Sequence, residues 1–191
     1  MSLVELAELC PPPSVPYNHY SPEREREVTA QLNLQFPRDY IEFCNNYGYG
    51  AFVAPDTHEI FIANVFEESF EWSRHNIQDA IDECFSYSDM KEPLDRLGVD
   101  VCSLFPLASD TDTTCLAWVT HEHSDKWRVL SFEYEDQIVE LFEMGLTDFL
   151  AGYFSGRLYV GGWAHRMKSG KLQKYTFIPY QERGRSQQSV D

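Results

Sequence analysis

Basic residues are scarce in this chain. Its 191 residues hold 15 Lys and Arg against 31 Asp and Glu, a formal charge of −16. A balance that acidic repels phosphate backbones, so no nucleic acid is expected as a partner. Cysteines are few and odd in number, at positions 10, 44, 84, 102 and 115, with no Cys-x-x-Cys pair. They read as reduced core thiols of a cytosolic protein. Only 10 Gly and 10 Pro accompany an apolar fraction of 43%, which excludes collagen-like order and general disorder. No run approaches the roughly 18 apolar residues of a membrane span. The first ten residues carry no Lys or Arg and too short an apolar stretch for a secretory signal. The expectation is a soluble, cytoplasmic globular protein with no membrane partner, a monomer or weak homodimer.

The charge is unevenly spread. Residues 157–191 hold Arg157, Arg166, Lys168, Lys171, Lys174, Arg183 and Arg185 against Glu182 and Asp191, a net +5 that leaves −21 for the rest. This divides the chain into an N-terminal lead-in (1–20), an α+β domain (21–156) and a basic C-terminal extension (157–191), with disorder expected from Glu182. The extension either reaches an acidic partner or folds back on the acidic body.

Residues 3–9 suit a short helix stopped by Pro11-Pro12-Pro13. Ser21-Pro22-Glu23 carries the cap, first-turn proline and acid of a helix reaching about Leu32. Pro37-Arg38-Asp39 opens another, with Tyr40, Ile41, Cys44 and Tyr47 recurring at helical spacing and Gly48 placed for a left-handed cap. Residues 51–54 and 59–63 read as a hairpin across Pro55-Asp56-Thr57. From Asn76 the residues Ile77, Ala80, Ile81, Cys84 and Phe85 share one face of a helix of about 12 residues. Period-two patterns then predict strands at 102–107, 114–120, 127–134 and 137–141. Leu146, Phe149, Leu150 and Tyr153 predict a last helix ended by Ser155-Gly156, and 175–178 a final strand. The sum is α+β, an antiparallel or mixed sheet with helices packed on one face.

The run Leu32-x-Leu34-x-Phe36-Pro37-x-Asp39-Tyr40-x-x-Phe43-x-x-x-Tyr47-Gly48-x-Gly50 resembles the opening motif of the Smi1/Knr4, or SUKH, superfamily. Phe105-Pro106-Leu107-Ala108-Ser109-Asp110 and Leu146-Thr147-Asp148-Phe149-Leu150 are similar to its mid-chain strand and closing helix. The resemblance spans residues 22–155 and implies an α+β fold. It also implies function: bacterial members commonly act as immunity proteins that neutralise a toxin, often a nuclease, and fungal members take part in cell-wall and signalling regulation. Asp39, in a first helical turn, reads as a surface acid that complements the helix dipole.

Chemistry-bearing constellations are thin. His121 and His123 project to one side of an extended segment as two metal ligands would, yet no third ligand is spaced for them, and the window reads as a polar turn. Asp110-Thr111-Asp112 lacks the Gly and distal Glu of an EF-hand. No nucleophile elbow or phosphate loop is present, so no catalytic residue, metal or cofactor is assigned. The acids near 67–89 lie among Phe70, Trp72 and Tyr87 and are either a solvated helix face or a recognition surface. The partner-binding candidates are Glu67, Glu68, Glu71, Trp72, Asp79, Asp82, Glu83, Asp110 and Asp112. The reading that follows is a non-catalytic, cytoplasmic immunity protein whose partner is a basic toxin domain. A regulatory adaptor of the Smi1/Knr4 type is the alternative, and a metal-dependent hydrolase using His121, His123 and Asp110 or Asp112 a weaker one.

Overall fold

The computed structural model describes residues 2–17, 20–67, 70–86, 88–133, 135–167 and 174–180. Local sequence accounts for the first three helices, α1 (Ser2–Leu9), α2 (Pro22–Leu32) and α3 (Arg38–Tyr47). The Ser21 side chain accepts a hydrogen bond from the Arg24 amide at 3.1 Å, and Pro22 takes the first helical position, where no amide is needed. On α3 the predicted apolar face is buried through Tyr40, Phe43, Cys44 and Tyr47. Two of those residues also need their hydroxyls. Tyr40 donates to the Ala63 carbonyl and accepts from the Val65 amide at 3.1 Å, while Tyr47 donates to the Cys10 carbonyl at 2.6 Å. Buried backbone groups that would otherwise lack partners are thereby satisfied.

Gly48 ends α3, but not in the left-handed cap that its position suggests. Its backbone lies at φ +75° and ψ −146°, and a methyl group there would stand 2.5 Å from the Tyr17 carbonyl oxygen. The lead-in segment runs alongside, bridging Tyr17 to Gly48. Glycine is required by this close approach as well as by the positive φ.

Seven strands form one antiparallel sheet: β1 (Gly50–Val53), β2 (Glu59–Ile62), β3 (Leu104–Asp110), β4 (Thr114–Val119), β5 (Arg128–Glu133), β6 (Ile138–Phe142) and β7 (Thr176–Pro179). Their order is β6-β5-β4-β3-β2-β1-β7, a meander whose last strand returns to the β1 edge. Helices α4 (Phe70–Ser86) and α5 (Ser88–Leu97) connect β2 to β3, and α6 (Leu146–Ser155) follows β6. The α4 helix starts six residues before the predicted Asn76, through Phe70-Glu71-Trp72-Ser73-Arg74-His75, whose two aromatics are two positions apart and set no helical period. The α5 helix was not predicted at all, because Pro93 lies inside it. That proline removes a single helical bond, and burial of Leu94 anchors the segment. The strand predicted from Cys102 begins at Leu104, after a tight turn at Val101–Ser103 that leaves Cys102 exposed, unlike the four other thiols.

The α+β class and antiparallel sheet are those expected. To the single helical layer read from the sequence the structure adds a second. Cys115, Ala117, Leu130 and Phe132 share one sheet face by register, and Phe132 meets Phe85 of α4 with ring centroids 5.1 Å apart. Leu116, Trp118 and Val129 share the other, where Trp118 meets Tyr40 of α3 at 6.2 Å. Burial of β4 along its whole length follows from having both faces covered. Val160, Trp163, Tyr175 and Phe177 join the same core, and Arg157 pairs with Glu5 of α1 at 2.5 Å. Among the described residues no helix is long and apolar enough to cross a membrane.

Asp39 serves a different helix from its own. The α6 helix starts at Gly145, which has no side chain to cap it, and Asp39 Oδ2 accepts from the Thr147 amide at 3.1 Å and its hydroxyl at 3.3 Å. Desolvation holds the Asp39 carboxyl above the usual aspartate value of 3.8, partly offset by the Thr147 bonds. A raised folded-state pKa favours the folded protein fully below the ordinary value, and that gain is lost as pH rises through the raised value. Relative to Asp39→Asn, the wild type is therefore expected to lose stability across that interval. Urea midpoints of both proteins, measured from acid to neutral pH, check this; a constant difference would contradict it.

Candidate functional site

Three of the candidate acids share one stripe of α4. Asp79, Asp82 and Glu83 are exposed at spacings of three and four, while Ile81, Cys84 and Phe85 on the opposite side are buried. The layer continues acidic along α5 and beyond it, exposing Glu92, Asp95 and Asp100 against Lys91 and Arg96. The other candidates separate from this surface. Glu67 is only 6% exposed, and the Asp110 side chain is fully buried, so neither presents its charge to a partner. Both were expected at the surface because acids usually are; here the Asp110 carboxylate closes the turn after β3 by accepting from the Asp112 and Thr114 amides, and the Glu67 amide closes a turn on the Asn64 carbonyl. Glu71 and Trp72 belong to α4. Glu68 and Tyr87 lie outside the described residues, as do the side-chain surroundings of Phe70, Glu71 and Trp72.

His121 and His123 are exposed in the turn between β4 and β5, their rings 5.6 Å apart. The His123 amide donates to His121 Nδ1 at 3.0 Å, and Trp127 Nε1 to the His121 carbonyl at 2.9 Å. Asp110 and Asp112 are at the far end of β4, about 20 Å away by strand rise. The four residues therefore do not assemble into a hydrolase centre.

Asp110 instead meets a residue that sequence reasoning passed over, His58. In the register of the sheet Ile60 lies opposite Asp110, which brings the start of β2 beside the end of β3. His58 Nε2 stands 3.2 Å from Asp110 Oδ2 and 4.0 Å from Asp112 Oδ2. Its Nδ1 contacts the Tyr175 hydroxyl at 2.8 Å, and Trp163 Nε1 donates to Asp110 Oδ2 at 2.8 Å. The other carboxylate oxygen, Oδ1, accepts from the Asp112 and Thr114 amides at 2.9 and 3.0 Å. His58 is fully buried, so this is a polar network inside the core that joins β2, β3 and the C-terminal segment. A His preceding a strand gives no periodic signal, which is why the sequence alone does not single it out.

Reactive thiols are not on offer among the buried cysteines. Burial pushes Cys10, Cys84 and Cys115 up to about 12, and Cys44 higher still, so they stay protonated at neutral pH. Two open clefts flank Trp127, of about 350 and 530 Å³. Arg38, Glu42, Asp125 and Asp148 give the larger a mixed charge.

The opening motif, the meander and the closing helix occur in the order that the SUKH resemblance implies. A family model, SUKH_6, described as SMI1-KNR4 cell-wall, matches residues 23–150, about two thirds of the chain. The chain belongs to the SUKH family. No curated protein matches it, and no solved structure does. The SUKH match takes in α2 to the middle of α6, including His58, Asp110 and the acidic stripe of α4. Tyr153, Trp163, Tyr175 and β7 follow the matched residues, so half of the buried network comes from outside the SUKH segment.

Proposed function

We propose that this chain is a non-catalytic protein-binding module, a cytoplasmic immunity protein that neutralises a basic toxin domain through its acidic surface. SUKH membership supports the class, and the stripe of Asp79, Asp82 and Glu83 on α4 is the observation that carries the partner's chemistry. Exposed charge of one sign on a rigid helix steers an oppositely charged protein into contact and raises its association rate. Because the stripe is exposed, its attraction falls off beyond about 8 Å at physiological salt.

A pull-down with the tagged chain from its native host lysate, at low and moderate salt, identifies the partner by mass spectrometry. Recovery of one basic, toxin-like protein is expected. The cell-wall description of the matching family favours one second reading, a regulatory adaptor, and recovery of only signalling or metabolic proteins would move the function there. With the partner in hand, the triple variant Asp79→Lys, Asp82→Lys, Glu83→Lys is expected to slow association about tenfold or more at low salt. The difference should shrink as salt rises. An association rate equal to wild type at low salt would remove α4 from the interface.

A further inference from the structure

We propose that His58, Asp110 and Asp112 bind one divalent transition metal ion, zinc before others. His58, Asp110 and Asp112 each offer one ligand atom, and the three atoms all lie within 4.8 Å of one another. Tetrahedral zinc with bonds of about 2.0–2.1 Å holds its ligand atoms roughly 3.3 Å apart. The His58–Asp110 separation of 3.2 Å already has that value, whereas Asp112, at 4.0 Å, has to close the remainder. Its side chain is 32% exposed on the β3–β4 turn, so it has room to rotate and leaves a route from solvent.

The ligands are also oriented as metal ligands need to be. The Tyr175 hydroxyl meets His58 Nδ1 at 2.8 Å, which fixes the ring and leaves Nε2 to face the two carboxylates. Two backbone amides hold Asp110 Oδ1, and the Trp163 indole takes one lone pair of Oδ2, leaving the other for an ion. An independent feature adjoins the cluster. Thr114, whose amide binds the same carboxylate, has a buried hydroxyl with no hydrogen-bond partner among the described residues. A water on the fourth position of the metal is the kind of group that satisfies such an orphan. Imidazole nitrogen and carboxylate oxygen are both ligands that zinc takes, and the imidazole sets this donor set apart from the all-oxygen shells of magnesium and calcium.

The rival arrangement is a His58–Asp110 hydrogen bond of purely structural use, which does not require Asp112. The test therefore turns on Asp112, whose exposure makes its replacement safe for the fold. The full chain, stripped with chelator, is titrated with zinc chloride by calorimetry, together with Asp112→Asn and a His121→Ala, His123→Ala double variant. One zinc per chain is expected for wild type and the double variant, with affinity at least tenfold weaker in Asp112→Asn. Zinc should also raise the thermal midpoint of wild type more than that of Asp112→Asn. Absence of saturable binding to wild type would overturn the proposal. Equal affinity in Asp112→Asn, or loss of binding in the double variant, would overturn it as well, the latter by assigning the zinc to the exposed histidines.

Discussion

Replacing Trp163 by alanine is expected to lower the unfolding free energy by about 3–5 kcal/mol, the range for emptying a buried tryptophan site. Trp163 is completely buried, packs on Tyr153 with ring centroids 4.5 Å apart and contacts Phe149 at 5.9 Å. Its loss removes that packing and the indole donor to the buried Asp110 carboxylate. The surrounding rings come from α6 and from His58 just before β2, so the cavity has little freedom to collapse. Trp163→Phe separates the two contributions: the ring packing is largely kept and the donor lost, for about 1–3 kcal/mol. Equilibrium urea denaturation of the three proteins measures both steps. A Trp163→Ala protein within 1 kcal/mol of wild type would mean that residues after α6 contribute little to the folded core.

Gly48→Ala is expected to cost about 3 kcal/mol, from backbone strain and overpacking together. With φ at +75° and ψ at −146°, Gly48 occupies a region that residues with a Cβ avoid. The added methyl would also meet Tyr17 backbone atoms at 2.5–2.9 Å, and backbone cannot swing aside as a side-chain tip can. Gly98 supplies the comparison, since it too has a positive φ, of +66°, but nothing within 4 Å of an added Cβ. Gly98→Ala should therefore show the smaller conformational penalty alone, roughly 1 kcal/mol. Thermal or urea midpoints of both variants check the ranking, and equal losses would contradict the close approach of the lead-in segment.

Helices and strands were legible wherever a local pattern announced them. Ser21-Pro22 is a cap that acts within one turn, and the faces of α3 and α6 repeat at helical spacing, so neighbours in sequence were enough. The final strand was readable from Thr176-Phe177-Ile178 for the same reason. Missed elements had no such pattern: α5 hides behind Pro93, and the first turns of α4 place Phe70 and Trp72 at a spacing of two that no helix face repeats. Roles were harder to read than elements. Asp39 reads from the sequence as a surface acid complementing the dipole of its own helix, yet it caps α6, because the residue it serves, Thr147, is 108 positions away.

Charge, the shortage of cysteine pairs, the meander of strands and the SUKH motif were properties of the sequence by itself, since each depends on composition or on residues a few positions apart. The acidic stripe of α4 was partly so: the acids were visible, but burial of Glu67 and Asp110 was not. Tertiary structure alone decided that α4 and α5 cover the second face of the sheet, and that His58 meets Asp110 across 52 residues and Tyr175 across 117. Those meetings are set by strand register and by the return of β7 to the β1 edge. Register depends on the packing of whole faces, which no local spacing in the chain encodes.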